Sequence, residues 1–182
     1  MKKWVLIMSL ILGVAMLAAC GNKEKDDDKQ EVSLADVHKQ IKDVIVEDLK
    51  NGGFAEPVVD GKLLSYLEID LTDPENPDRD FYLEKLGIQE EQLQAGYVIA
   101  ALMNINSDEI ILLEAKDETA AASLKTALEK ELAAQTQTWS QYLPDQFEKV
   151  KNNIIKQNGN KLIYITYDHP DKMAEIFDAK TK

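Results

Sequence analysis

The sequence predicts an α+β fold: a two-layer sandwich whose mainly antiparallel sheet, of about four strands, carries helices on one face. Three observations lead there. Residues 97–115 and 153–167 each read as a β-hairpin, each hairpin is followed by an amphipathic helical segment, and a further periodic segment near residue 34 is helical as well. Hairpin then helix, twice in succession, is the pattern of an antiparallel sheet with its helices segregated. The two units share architecture without any repeat in their residues.

The chain opens with Lys2 and Lys3, an apolar run from Trp4 to Met16, and Leu17-Ala18-Ala19-Cys20. That order is expected of an exported protein, and small residues before a lone cysteine read as a lipobox. The apolar run falls short of the ~20 residues a spanning helix needs. On this reading residues 1–19 are a lipoprotein signal peptide. Cys20 takes a diacylglycerol on its thiol, and two or three acyl chains anchor the protein to the outer face of the cytoplasmic membrane. The alternative is an ordinary cleaved signal with an incidental cysteine. Residues 20–32 then form a lipidated, charged flexible tether, since Gly21 to Glu31 hold no apolar side chain.

What remains, 33–182, is the size of one domain. Cys20 is the only cysteine, so no disulfide forms within the chain and the domain has neither a thiol nucleophile nor a cysteine metal site. The net charge is −12, and −14 once Lys2 and Lys3 are removed. A field of that sign opposes nucleic acid and anionic headgroups, and both are excluded as partners.

Ser33 caps the first helix with Asp36 three residues on, and Leu34, Val37, Ile41, Val44, Ile45 and Leu49 recur at helical spacing until Asn51-Gly52-Gly53. From Phe54 to Asp80 the pattern is ambiguous: Asp60-Gly61 is a turn, Leu63 to Leu71 fits a short helix or strand, and Asp73 to Asp80 is a loop. Phe81 to Leu86 makes a short helix closed by Gly87, and Gln89 to Leu93 another. Tyr97 to Ile105 and Glu109 to Ala115 form the first hairpin across Asn106-Ser107-Asp108. Asp117 caps the longest helix, with the stripe Ala121, Leu124, Leu128, Leu132, Gln135, Trp139 and Tyr142, broken by Pro144. Asp145 to Asn152 carries Phe147 and Val150 inward. Asn158-Gly159 centres the second hairpin as a type I′ turn. Pro170 opens the last helix, whose face holds Met173, Ile176 and Phe177.

Asp108-Glu109-Ile110, Lys116-Asp117, and Gln135 with Trp139-Ser140-Gln141-Tyr142-Leu143-Pro144 resemble a family of uncharacterised single-domain lipoproteins from Gram-positive bacteria, built on one domain of unknown function. The resemblance runs from Leu34 to Phe177 and is weakest over Phe54 to Asp80, where no family pattern is matched. It implies a lipid-anchored, extracytoplasmic domain and carries over no activity, ligand or catalytic residue.

Chemistry-bearing motifs are few. His38 and His169 lack a second ligand at metal-binding spacing. There is no Gly-x-Ser-x-Gly elbow and no Gly-rich loop after a strand. Asp73, Glu75, Asp78 and Asp80, with Glu68 and Asp70 before them, crowd an oxygen-rich stretch broken by Pro74 and Pro77 that reads either as a solubilising connector or as a calcium site without EF-hand spacing. Trp139, Tyr142 and Phe147 plug the end of the core or, if Trp139 is exposed, form a binding surface. No cofactor is expected. The expected role is therefore non-enzymatic binding of an envelope protein or small ligand, with a calcium-dependent or carboxylate-based envelope enzyme as the alternative.

Overall fold

The computed structural model describes residues 33–182, and the leader, Cys20 and the charged tether lie outside the described residues. The elements run α1 (Leu34–Asn51), β1 (Val58–Val59), β2 (Lys62–Leu63), β3 (Tyr66–Asp70), α2 (Arg79–Leu86), a 3₁₀ turn (Glu90–Gln92), β4 (Leu93–Ala101), β5 (Glu109–Ala115), α3 (Glu118–Trp139), α4 (Pro144–Lys151), β6 (Ile154–Asn158), β7 (Lys161–Thr166) and α5 (Pro170–Thr181). The class is α+β. Among the described residues no helix is long and apolar enough to cross a membrane.

The main sheet has the order β3-β4-β5-β7-β6, antiparallel throughout. It has five strands where about four were expected, because β3 joins the outer edge of the first hairpin with Tyr66 opposite Ala101 and Asp70 opposite Tyr97. Leu67, Ile69 and Leu71 alternate with Glu68 and Asp70, the pattern of a half-buried strand. The close approach of its end to β4 needs Gly96: a Cβ there would lie 3.1 Å from the Leu71 side chain.

The expectation of helices on one face is corrected. Ile69, Val98, Ile111, Leu113, Leu162 and Tyr164 pack with Leu83 and Leu86 of α2 and Leu124 and Leu128 of α3. On the opposite face Tyr66, Ile99, Ile110, Leu112, Ile163 and Ile165 pack with Leu34, Val37, Ile41 and Ile45 of α1 and Met173 and Phe177 of α5. Successive strand residues point to opposite faces, so an unbroken apolar run such as Val98 to Ala100 or Ile110 to Leu113 needs cover on both.

Two boundaries and the place of the type I′ turn also move. β4 ends at Ala101, leaving Leu102 to Ile105 in an exposed loop, since Leu102 N–H donates to Ser65 O (3.0 Å) and leaves the β5 ladder. The second hairpin turns one residue later than expected: Asn158 pairs with Lys161, and Gly159 takes φ of 59°. Asn158 stays in the strand because its side chain donates to Asp178 Oδ1 and Thr181 Oγ1 of α5. Consecutive positive φ values, the mark of a type I′ turn, fall instead at Asp60 (51°) and Gly61 (79°), between β1 and β2.

Candidate functional site

The acidic loop is organised by its own chain. Asp73 Oδ1 accepts from the Glu75 N–H at 3.0 Å, and Asp80 Oδ1 from Arg79 Nη1 at 2.7 Å. Arg79, nearly buried, also pairs with Glu90 and donates from Nε to Leu71 O at 3.0 Å. The structure does not bring Asp73, Glu75, Asp78 and Asp80 together as a cation site. Among the described residues no group of three or more His, Cys, Asp or Glu is placed to hold a metal ion.

His38 stacks on Tyr97, with ring centroids 4.7 Å apart and planes 16° from parallel. Burial holds its imidazole below the usual pKa, against the pull of Glu68, and Nε2 is buried without a hydrogen-bond partner. His169 is exposed at the cap position of α5 and makes no side-chain cap bond.

The aromatic trio is split. Trp139, the last residue of α3, is only 6% exposed, whereas Tyr142 lies past the helix end and is 51% exposed, its ring 5.7 Å from that of Trp139. Phe147 is half-buried, because α4 turns Gln146 and Val150 inward instead. Gln146 has a task there: its Oε1 accepts from the Ser107 N–H at 2.9 Å, which ties α4 to the loop between β4 and β5. Alongside, the buried Asp108 carboxylate accepts from Lys149 Nζ (2.8 Å), Tyr66 Oη (2.7 Å) and Asn106 Nδ2 (2.9 Å).

Beside Asp108 lies a buried cluster that no local spacing announces. Lys85 Nζ of α2 donates to Glu109 Oε1 of β5 at 2.6 Å and pairs with Glu131 Oε1 of α3 at 3.0 Å. Gln135 Nε2 donates to Glu131 Oε1 at 2.6 Å and reaches Glu109 Oε2 only at 3.5 Å, while Gln135 Oε1 accepts from Trp139 Nε1 at 2.7 Å. Glu131, Gln135 and Trp139 are one α3 row at four-residue steps, aimed at the start of β5. Both carboxylates are almost fully buried, with 5% and 4% of their side chains exposed. Burial and the neighbouring Glu131 push the Glu109 carboxyl up to about 7, against the opposing pull of Lys85. For Lys85, burial works against the charge but Glu109 and Glu131 outweigh it and hold the ammonium.

Lys85, Glu109, Gln135 and Trp139 of this cluster, though not Glu131, floor an open cavity of about 270 Å³ between α2, α3 and the β4–β5 loop. Tyr82, Lys85, Glu109, Gln135 and Trp139 line the inner part, and Leu102 and Met103, 53% and 59% exposed, form the rim. A larger groove of about 550 Å³ between α2 and α3 shares Lys85 with it, takes in Glu131, and is otherwise lined largely by exposed polar side chains such as Glu84, Ser123, Thr126 and Lys130. The smaller cavity is the candidate site because it joins buried charge, aromatic edges and exposed apolar surface. The sequence singles out Trp139, as a binding residue only if exposed; it is 6% exposed and meets the cavity from the core side. Glu109, Lys85 and Glu131 were missed as a site, although the polar Gln135 inside an apolar helical stripe was a signal.

No curated protein and no solved structure matches the chain. A family model matches residues 68–167, from within β3 to just past β7, so that all of the candidate site lies inside the match while α1 and α5 lie outside it. That span is more than half of the chain, and the protein belongs to the family described as Domain of unknown function (DUF4358).

Proposed function

We propose that the protein is a lipid-anchored, extracytoplasmic domain that acts by binding, at the cavity beside the β4–β5 loop, rather than by catalysis. The observation that carries the binding role is the exposed apolar pair Leu102 and Met103 at the mouth of a cavity with a buried, hydrogen-bonded polar floor. Exposed apolar surface around a few convergent polar groups is the usual form of a ligand site. The anchor rests on the lipobox at Cys20, and the acidic tether after it would hold the domain clear of the headgroups.

Proximity labelling from the anchored protein on living cells tests this, with Cys20→Ala as the released control and Leu102→Asp/Met103→Asp as the rim control. Membrane fractionation that depends on Cys20, and a labelled partner or ligand lost in the rim variant, are the expected results. Fractionation unchanged in Cys20→Ala would remove the anchor, and labelling unchanged in the rim variant would remove the site. A second reading, carboxylate-based catalysis, has one feature in its favour: burial and Glu131 push the Glu109 carboxyl up toward the range of a general acid.

A further inference from the structure

We propose that the cavity beside the β4–β5 loop takes a small organic cation, a protonated primary amine or guanidinium on a short apolar arm, with its charge against Glu109. The proposal rests on the reading of that cavity as a binding site and names the ligand's chemistry. Two buried carboxylates, Glu109 and Glu131, share one ammonium, Lys85, so with both ionised the cluster holds one negative charge more than it balances, and of the two Glu109 is the one that lines the cavity. The neutral neighbours do not cancel it: Gln135 gives Glu131 an uncharged N–H, the Trp139 N–H goes to Gln135 Oε1, and the Tyr82 and Tyr164 phenols are pushed up by burial and stay neutral.

The two oxygens of Glu109 are unequal. Oε1 is held by Lys85 at 2.6 Å, whereas the N–H contact of Oε2, from Gln135, is long at 3.5 Å; the carboxyl also lies within hydrogen-bond reach of Glu131, a contact that forms only when a proton sits between the two. A buried carboxylate oxygen with spare acceptor capacity, lining a cavity, is complementary to an N⁺–H donor. Leu102, Met103 and Ala100 line the way in and suit an alkyl arm. A cavity of about 270 Å³ lies just below the ~300–1,000 Å³ of drug-sized ligand sites, which limits the guest to fragment size. The excess of acidic side chains over the whole chain draws cations toward it. A calcium ion fits less well, since it takes six to eight oxygens. Only two carboxylates, Asp108 and Glu109, line the cavity, and Lys149 already neutralises Asp108.

In the free protein a proton fills the place of the missing cation, which accords with the raised pKa of Glu109. The groups facing Glu109 are Lys85 and Tyr82 of α2, Glu131 and Gln135 of α3, and Tyr164 of β7. An arriving cation displaces the proton, so affinity rises with pH through about 7.

The test is an NMR titration of the full chain in detergent micelles with n-butylammonium, propylguanidinium, n-butyrate and n-butanol, following the Trp139 indole N–H and the amides of residues 102–109. The two cations are expected to shift these signals saturably, more tightly at pH 8 than at pH 5.5. Glu109→Gln should weaken them roughly tenfold or more, the size of one charge-assisted hydrogen bond. Lys85→Met, which removes the resident ammonium, should tighten them and decides the matter if Glu109→Gln fails to fold. Butyrate or butanol binding as well as the cations, or weaker amine binding in Lys85→Met, overturns the ligand class and leaves the cavity reading standing. If no probe moves these signals the ligand class falls, and the cavity reading falls with it if labelling is also unchanged in the Leu102→Asp/Met103→Asp variant.

Discussion

At Glu109 one carboxyl is asked to be buried beside another, and the consequence is a stability that depends on pH. Its folded pKa, about 7, lies above the ordinary 4.5, so the folded state holds the proton longer than the unfolded chain. This contribution is full below about 4.5 and is lost as pH rises through about 7, and the shift amounts to about 3 kcal/mol. Glu109→Gln removes that titration while leaving Lys85 paired with Glu131. In urea denaturation the variant should gain on the wild type by up to about 3 kcal/mol between pH 5 and pH 8. Parallel pH profiles for the two proteins would refute the account. His38 works in the opposite sense. Burial lowers its imidazole pKa, so the folded state gives up its proton early, and its contribution is full above the ordinary 6.5 and is lost as pH falls through the lowered folded value. His38→Phe keeps an aromatic ring on Tyr97 and has no Nε2 to leave unpaired. Its melting temperature relative to wild type should therefore be higher at pH 5 than at pH 8, and a constant difference would show that His38 does not titrate on unfolding.

At the scale of an element, α3 shows which parts of a periodic stripe carry energy. Leu124 is fully buried in the cluster that joins α3 to the sheet, and Leu124→Ala should cost about 2–5 kcal/mol in denaturant unfolding. Tyr142 extends the same stripe in sequence but lies beyond the helix, half exposed, and Tyr142→Ala should stay within about 0.5 kcal/mol. Equal costs would mean the stripe had been placed wrongly. The same contrast separates what the sequence made legible from what it did not. α1, α3, α5 and the two hairpins announce themselves through caps and apolar spacing long enough to have a period. β3 offers only five residues after two short turns, too few to separate strand from helix. The end of β4 is hidden because Leu102, Met103 and Ile105 are as apolar as the strand before them, yet stand exposed. Lys85, Glu109 and Glu131 are more than twenty residues apart in the chain, so only the packing of α2 and α3 on β5 reveals the cluster.

For the whole molecule the decisive fact is that both faces of one sheet are apolar, and the two covers come from different parts of the chain. α2 and α3, which cover one face, lie within residues 68–167, the span that matches the family. α1 and α5, which cover the other, lie outside it. Within the span Ile99, Ile110, Leu112, Ile163 and Ile165 are between 0% and 1% exposed, and Leu34, Val37, Ile41, Ile45, Met173 and Phe177 are among the residues that hide them. Removing both helices would bare a contiguous apolar face on a small domain. At about 25 cal/mol per Å², a few hundred Å² of such surface is worth on the order of 5–10 kcal/mol, as much as the whole stability of an ordinary domain. Residues 68–167 expressed alone should therefore fail to fold as a monomer, showing collapsed amide dispersion by NMR or association by sedimentation, whereas 33–182 gives a dispersed monomer spectrum. A well-dispersed monomer of 68–167 would show that the sheet stands without its second cover, and that α1 and α5 are accessories to the domain rather than part of its core.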